Sequence, residues 1–129
     1  MGDILETKEK IERIDITDGE RRIGCASVRY PVFDKKRIDS FYQRQAEAFI
    51  SYAKRKKLCG MLNCRVTYED EEIISVITEA RIYKDNECLR RHRSSFVWDK
   101  RKGRLRYIRK KGIRRCNITY DGTELSIFD

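Results

Sequence analysis

One proline, one histidine and one tryptophan occur among 129 residues, with only seven glycines. So little proline and glycine leaves small scope for disorder by composition, and only residues 1–8 are expected to fray. No run approaches the roughly 20 apolar residues of a membrane-spanning helix, so no transmembrane segment is expected. The opening MGDILETKEK has no apolar signal core. The expectation is therefore a cytoplasmic chain, or an exported one whose leader has been removed. Met1-Gly2 does not make a myristoylation site, because position six is Glu6 and not Ser or Thr. No phosphate-cradling glycine loop, nucleophile elbow or dinucleotide fingerprint is present.

Acidic residues are what one quarter of the chain lacks. Residues 88–116 hold 13 bases and a single acid, Asp99, a net charge of +12 that exceeds the formal +9 of the whole chain. The five cysteines, Cys25, Cys59, Cys64, Cys88 and Cys116, are scattered. Cys59 and Cys64 are spaced too loosely for a zinc knuckle, and no second close pair follows. They read as reduced thiols serving as small core hydrophobes, which favours a reducing compartment. No metal and no cofactor is expected.

What is there is alternation. At 129 residues the chain suits one domain able to bury roughly two-thirds of its unfolded surface. The organising stretch is residues 72–98. Ile74, Val76, Thr78, Ala80 and Ile82 fall on one face at period two, and Ile73, Ser75, Ile77, Glu79, Arg81 and Tyr83 on the other. Residues 84–87 (KDNE) form a turn, and 88–98 return. Upstream, residues 10–16 and 21–32 read as strands joined by a turn at Asp18-Gly19, with Pro31 ending the second. A helix is expected from Asp34, as its cap, through Lys57. Ile38, Phe41, Tyr42, Ala46, Phe49, Ile50 and Ala53 make its apolar stripe, with Gly60 as the stop. Residues 61–68 alternate, with Leu62, Cys64, Val66 and Tyr68 together. Phe41, Phe49, Phe96, Trp98 and Tyr68 are expected in the core. Residues 99–103 turn into a short strand, 104–108, with Leu105 and Tyr107 on one face. Two more strands, 113–120 and 123–128, flank Asp121-Gly122. The fold class is α+β: one amphipathic helix packed on a curved, mainly antiparallel sheet in the order β-β-α-β-β-β-β-β-β.

That order resembles the DUF3298 family, also called the RsiV-like C-terminal domain, over about residues 25–128. Tyr30-Pro31 ends a strand, Ile38-Asp39 and the stripe through Phe49 form the helix, and Val66-Thr67-Tyr68 is the next strand. Ile74-Ser75-Val76 opens the hairpin, and Asp99, Gly103 and Leu105 fit the turn-and-strand pattern that follows. The resemblance implies a bacterial domain that senses or binds a partner and brings no catalytic residue. The family occurs in an anti-sigma factor that senses lysozyme and beside a peptidoglycan deacetylase domain. This chain departs from the pattern after Gly103, running into Ile108-Arg109-Lys110-Lys111-Gly112. Lysozyme is basic and would be repelled by a chain of this charge, so lysozyme binding is not carried over.

The residues themselves point to a basic surface. Arg91 and Arg93 share one face of their strand, with Arg90 opposite. Lys100, Arg101, Lys102, Arg104 and Arg106 follow in and after the next turn, then Arg114 and Arg115. If the strands are neighbours, these cations form one patch, with Tyr107 and Trp98 as stacking surfaces. The expected partner is an unknown protein or polyanion. Nucleic acid is the alternative, although no recognised nucleic-acid motif accompanies the patch. The plainer reading is a solvated face whose Lys and Arg discourage edge pairing. A hydrolase is the weakest option, because His92 has Arg90 and Ser94 on its face and no acid beside it.

Overall fold

The computed structural model describes residues 8–108. Six strands and one helix follow in the order β1 (Glu9–Asp18), β2 (Arg21–Pro31), α1 (Lys36–Lys56), β3 (Cys59–Glu69), β4 (Ile73–Lys84), β5 (Glu87–Asp99) and β6 (Arg104–Ile108). The strands lie side by side in chain order in one curled sheet, a half-barrel whose hollow side holds α1. Every neighbouring pair is antiparallel except β2 and β3, which run parallel because α1 carries the chain back between them. The two strands expected at 113–120 and 123–128 lie outside the described residues.

The alternation of β4 is realised as read. Ile74, Val76, Thr78, Ala80 and Ile82 are buried, and the intervening residues are half-buried. Asp85 and Asn86 take positive φ, which closes a two-residue hairpin to β5. From α1, Ile38, Tyr42, Ala46, Phe49 and Ala53 meet Val28, Leu62, Val76, Ile82, Phe96 and Trp98 in one core. Burying a side chain such as Phe49 contributes about 1.5–3 kcal/mol. Trp98 donates its indole N–H to Tyr42 at 3.0 Å, so the largest ring in the core is also polar-satisfied.

Three expectations are corrected. The helix starts at Lys36, with Lys35 at the cap position and no side-chain cap. Asp34 is not the cap; Asp39 instead reaches back to accept the Phe33 N–H at 3.0 Å and fixes the entry. The helix stops at Lys57, in left-handed geometry, and not at Gly60, which is a β3 residue packed against Arg81 and Phe49. Tyr68 leaves the core face. A bulge between Val66 and Tyr68 shifts the register by one, pairs Tyr68 with Ser75, and leaves its hydroxyl on Asp70 at 2.9 Å. A second bulge, between Val97 and Trp98, pairs Leu105 with Trp98 and Tyr107 with Val97 in the backbone register and leaves Arg106 without a partner rung.

The cysteines divide as well. Cys64 is buried, receives the Thr78 hydroxyl, and has its thiol pushed up by burial to about 12. Cys25 and Cys59 are half-buried and Cys88 is exposed, so of the described four only Cys64 is a core hydrophobe.

Candidate functional site

The β5–β6 turn is built by Asp99. Its carboxylate accepts the Arg101 N–H at 2.9 Å and the Lys102 N–H at 3.1 Å, and its carbonyl accepts the Gly103 N–H at 2.7 Å. These backbone bonds, the Lys102 bond first, hold the Asp99 carboxyl below its ordinary range. Gly103 completes the turn at φ +61, a conformation that favours glycine. It packs against α1: a Cβ placed there would lie 3.2 Å from the Arg37 Cβ. The basic turn and the basic first turn of the helix are thereby held against each other.

Between them lies a groove of about 490 Å³ lined by Lys35, Lys36, Arg37, Lys100, Arg101, Lys102, Gly103 and Arg104. Seven of those eight residues are cations and none is an acid. Lys100 is engaged, donating to Glu69 at 2.8 Å and to the Asp70 carbonyl at 2.9 Å, which ties this turn to the β3–β4 turn. The other six form no ion pair with a carboxylate among the described residues.

Two further cavities adjoin the groove. One, of about 520 Å³, shares Lys35, Lys100 and Arg101 with it and has an apolar floor of Val32, Phe33, Ile38, Val66 and Ile74. The other, of about 670 Å³, shares Lys36, Arg37, Gly103 and Arg104, and is floored by Phe41, Trp98 and Leu105 beside Arg44.

The remaining sequence-predicted cations fall elsewhere. Arg90, Arg91 and Arg93 lie toward the start of β5, seven residues or more from Lys100. At about 3.3 Å per residue that is roughly 23 Å. Arg91 donates to Glu79 at 2.8 Å, Arg81 to the same carboxylate at 3.3 Å, and Arg93 is the Cα partner of Glu79. Partial burial pushes the Glu79 carboxyl up, but its arginine bonds outweigh that and leave it lowered. Arg106 sits at the β6 bulge. Arg114 and Arg115 lie outside the described residues. Lys35, Lys36, Arg37 and Arg44 were missed by sequence reasoning. Their signal is the Lys35-Lys36-Arg37 run, but nothing local joins it to a turn more than 60 residues on.

His92 is half-buried, and its imidazole pKa is lowered by that burial. Its Nε2 and the Ser94 hydroxyl are buried without hydrogen-bond partners, so the two do not form a nucleophile–base pair. Among the described residues, no group of three or more His, Cys, Asp or Glu could hold a metal ion. No described helix is long and apolar enough to cross a membrane.

With this geometry the chain can be set against known proteins. No family model matches the sequence, and no curated protein does. A crystal structure of a DUF3298 family protein from Pseudomonas aeruginosa PAO1 matches in fold, with a TM-score of 0.60 over 81% of this chain. In fold, the chain is similar to a DUF3298 family protein. The identity is 13%, so the likeness is one of fold alone, and it spans 56% of that DUF3298 chain. The DUF3298 family is one of unknown function, which adds no reaction and no ligand to the site described above.

Proposed function

We propose that this domain is a non-enzymatic binding module that takes an anionic partner in the groove between α1 and the β5–β6 turn. The supporting observation is the set of seven cations there, drawn from two elements, of which only Lys100 meets a carboxylate among the described residues. Like charges held together repel one another and oppose compactness, so the cluster detracts from the fold that carries it. An anion seated in the groove relieves that repulsion, and the arginine forks can each bond two oxygens of a carboxylate or phosphate. The start of β5 is a poorer recognition surface. There Arg91 and Arg81 are already held by Glu79.

The test compares two charge reversals. One protein carries Arg37→Glu, Arg101→Glu and Arg104→Glu; the other carries Arg91→Glu and Arg93→Glu. Binding of polyglutamate and of a dT oligonucleotide is measured at two salt concentrations, with folding checked by circular dichroism. The triple variant is expected to lose at least about tenfold in affinity for whichever polyanion binds, about 1.4 kcal/mol or more, and the double variant little. The reverse ranking, or no binding of either polyanion at low salt, would overturn the reading.

A further inference from the structure

The three adjoining cavities have an order that carries the reading one step further. The middle is cationic, and both ends have apolar floors. At one end Val32 is 39% exposed beside Phe33 and Ile38; at the other Leu105 is 38% exposed beside Phe41. These are two of the few large hydrophobics that the described surface leaves open. We infer that the furrow takes an extended peptide segment of a partner protein, with acidic residues at its centre and an apolar side chain on each flank. The inference rests on the proposal that the cationic groove is the recognition surface.

Two observations favour a peptide over a nucleic acid strand. The first is charge. The cavity beyond Lys35 is rimmed by Asp34, Glu69 and Glu71, and only Glu69 is neutralised, by Lys100. A strand with one phosphate per nucleotide would carry negative charge straight into those carboxylates. A peptide whose acids are confined to its middle would not. The second is the use of the rings. Strand binding in such grooves leans on aromatic faces open for bases to stack on. Here Trp98 is 4% exposed and bonded to Tyr42. Phe41 packs edge-to-face with Trp98, Phe96 and Tyr42 at centroid distances of 4.7, 5.5 and 5.0 Å, so this ring too is engaged with the core. The most exposed apolar side chains at the two ends, Val32 and Leu105, are aliphatic, which suits Leu, Ile or Val side chains better than bases.

The arrangement also divides the labour of binding. Desolvated apolar contacts at the two ends would supply affinity, and the central arginines and lysines would steer encounter and fix register. A partner with the same charge but no flanking hydrophobes would bind weakly and with steep salt dependence. One with hydrophobes but no acids would be left facing unpaired cations.

Selection of a random peptide library against the whole chain tests this. The expected outcome is an enriched apolar–acidic–apolar pattern. A synthetic peptide of that pattern should lose at least about tenfold in affinity with the variant Arg37→Glu/Arg104→Glu, and also with Leu105→Asp. Circular dichroism confirms that each variant is folded. A dT oligonucleotide at matched salt is the competing arm. Enrichment of a pattern without acids, or no enrichment, would overturn the inference. So would an oligonucleotide that binds more tightly than the selected peptide and loses affinity in Arg37→Glu/Arg104→Glu. In that last case the cationic groove stands as the recognition surface and only the peptide is wrong; if neither probe binds, both fail.

Discussion

The two ends of β5 start from similar sequence and arrive at different chemistry. Toward the first end, Arg90, Arg91 and Arg93 are paired with β4 in the ladder. There Arg91, from across the strand pair, and Arg81, from the same strand, converge on one carboxylate, Glu79, so part of the charge is offset as the sheet forms. Beyond the other end, Lys100–Lys102 leave the sheet in a tight turn whose only acid, Asp99, is occupied by backbone N–H groups. Lys100 is held by Glu69, and Arg101 and Lys102 are left to line a groove with Lys35, Lys36 and Arg37. A charge run in a strand meets its neighbours' side chains at fixed spacing. A charge run in a turn meets whatever the tertiary fold places against it.

The largest way to break the comparison is to damage the first end while sparing the second. Gly60 in β3 is the Cα partner of Ile82, which pairs with Arg90. A Cβ at Gly60 would lie 2.6 Å from the Arg81 carbonyl oxygen and 2.9 Å from Phe49 Cζ. The carbonyl belongs to the backbone and cannot swing away. Gly60→Ala is therefore expected to cost about 2–3 kcal/mol of stability, seen as a lower denaturant midpoint with unchanged slope. Below that midpoint the folded fraction should bind the polyanion probes normally. A cost under about 0.5 kcal/mol would mean that the sheet is not packed this closely.

At the second end the counterpart is Gly103→Ala. The left-handed turn conformation and the 3.2 Å approach to Arg37 Cβ both oppose the added methyl. About 1 kcal/mol of stability should be lost, less than at Gly60, because a surface turn can shift and Arg37 can give. The shift has a consequence that Gly60→Ala lacks. It moves Arg101–Arg104 away from α1, so affinity for polyglutamate should fall even where the protein is fully folded. Unchanged affinity at full folding would mean that the Gly103 turn does not position the groove.

How much of this was legible in the sequence follows from the range of each signal. Period-two alternation over 73–83, the Asp-Asn and Asp-Gly turns and the stripe from Ile38 to Ala53 are local patterns, and they became β4, its hairpin and α1. The bulges after Val66 and Val97 were not legible. One extra residue reverses every later assignment of faces, and Thr67 and Arg106 carry no distinguishing chemistry. Gln45 was missed within the helix stripe for a similar reason. It is polar by type, yet it is fully buried with both amide atoms unpartnered. Half of the cationic groove was visible as the run Lys100–Arg104. The other half depends on a contact between Arg37 and Gly103, which no spacing rule connects.

The smallest expected effects separate the two kinds of charge neutralisation. Asp99 and Glu79 both have carboxyl groups held below their ordinary values of 3.8 and 4.5. A carboxyl whose folded value lies below its unfolded one stabilises the fold above the unfolded value. That contribution disappears as pH falls through the folded value. The stability differences between the native protein and Asp99→Asn, and between it and Glu79→Gln, should therefore be present at neutral pH. They should close as pH drops below about 4. Salt then tells them apart. Glu79 is held by arginine side chains, the exposed Arg91 and the half-buried Arg81, which salt screens, whereas Asp99 is held first by a backbone N–H of its own turn, fixed at hydrogen-bond distance. Raising the salt at pH 7 should shrink the Glu79→Gln difference and leave most of the Asp99→Asn difference in place. If both shrink alike in denaturant titrations, Asp99 is held mainly by the surrounding cations. The turn would then be an electrostatic feature like the pleat, and the contrast between the two ends of β5 would be one of geometry alone.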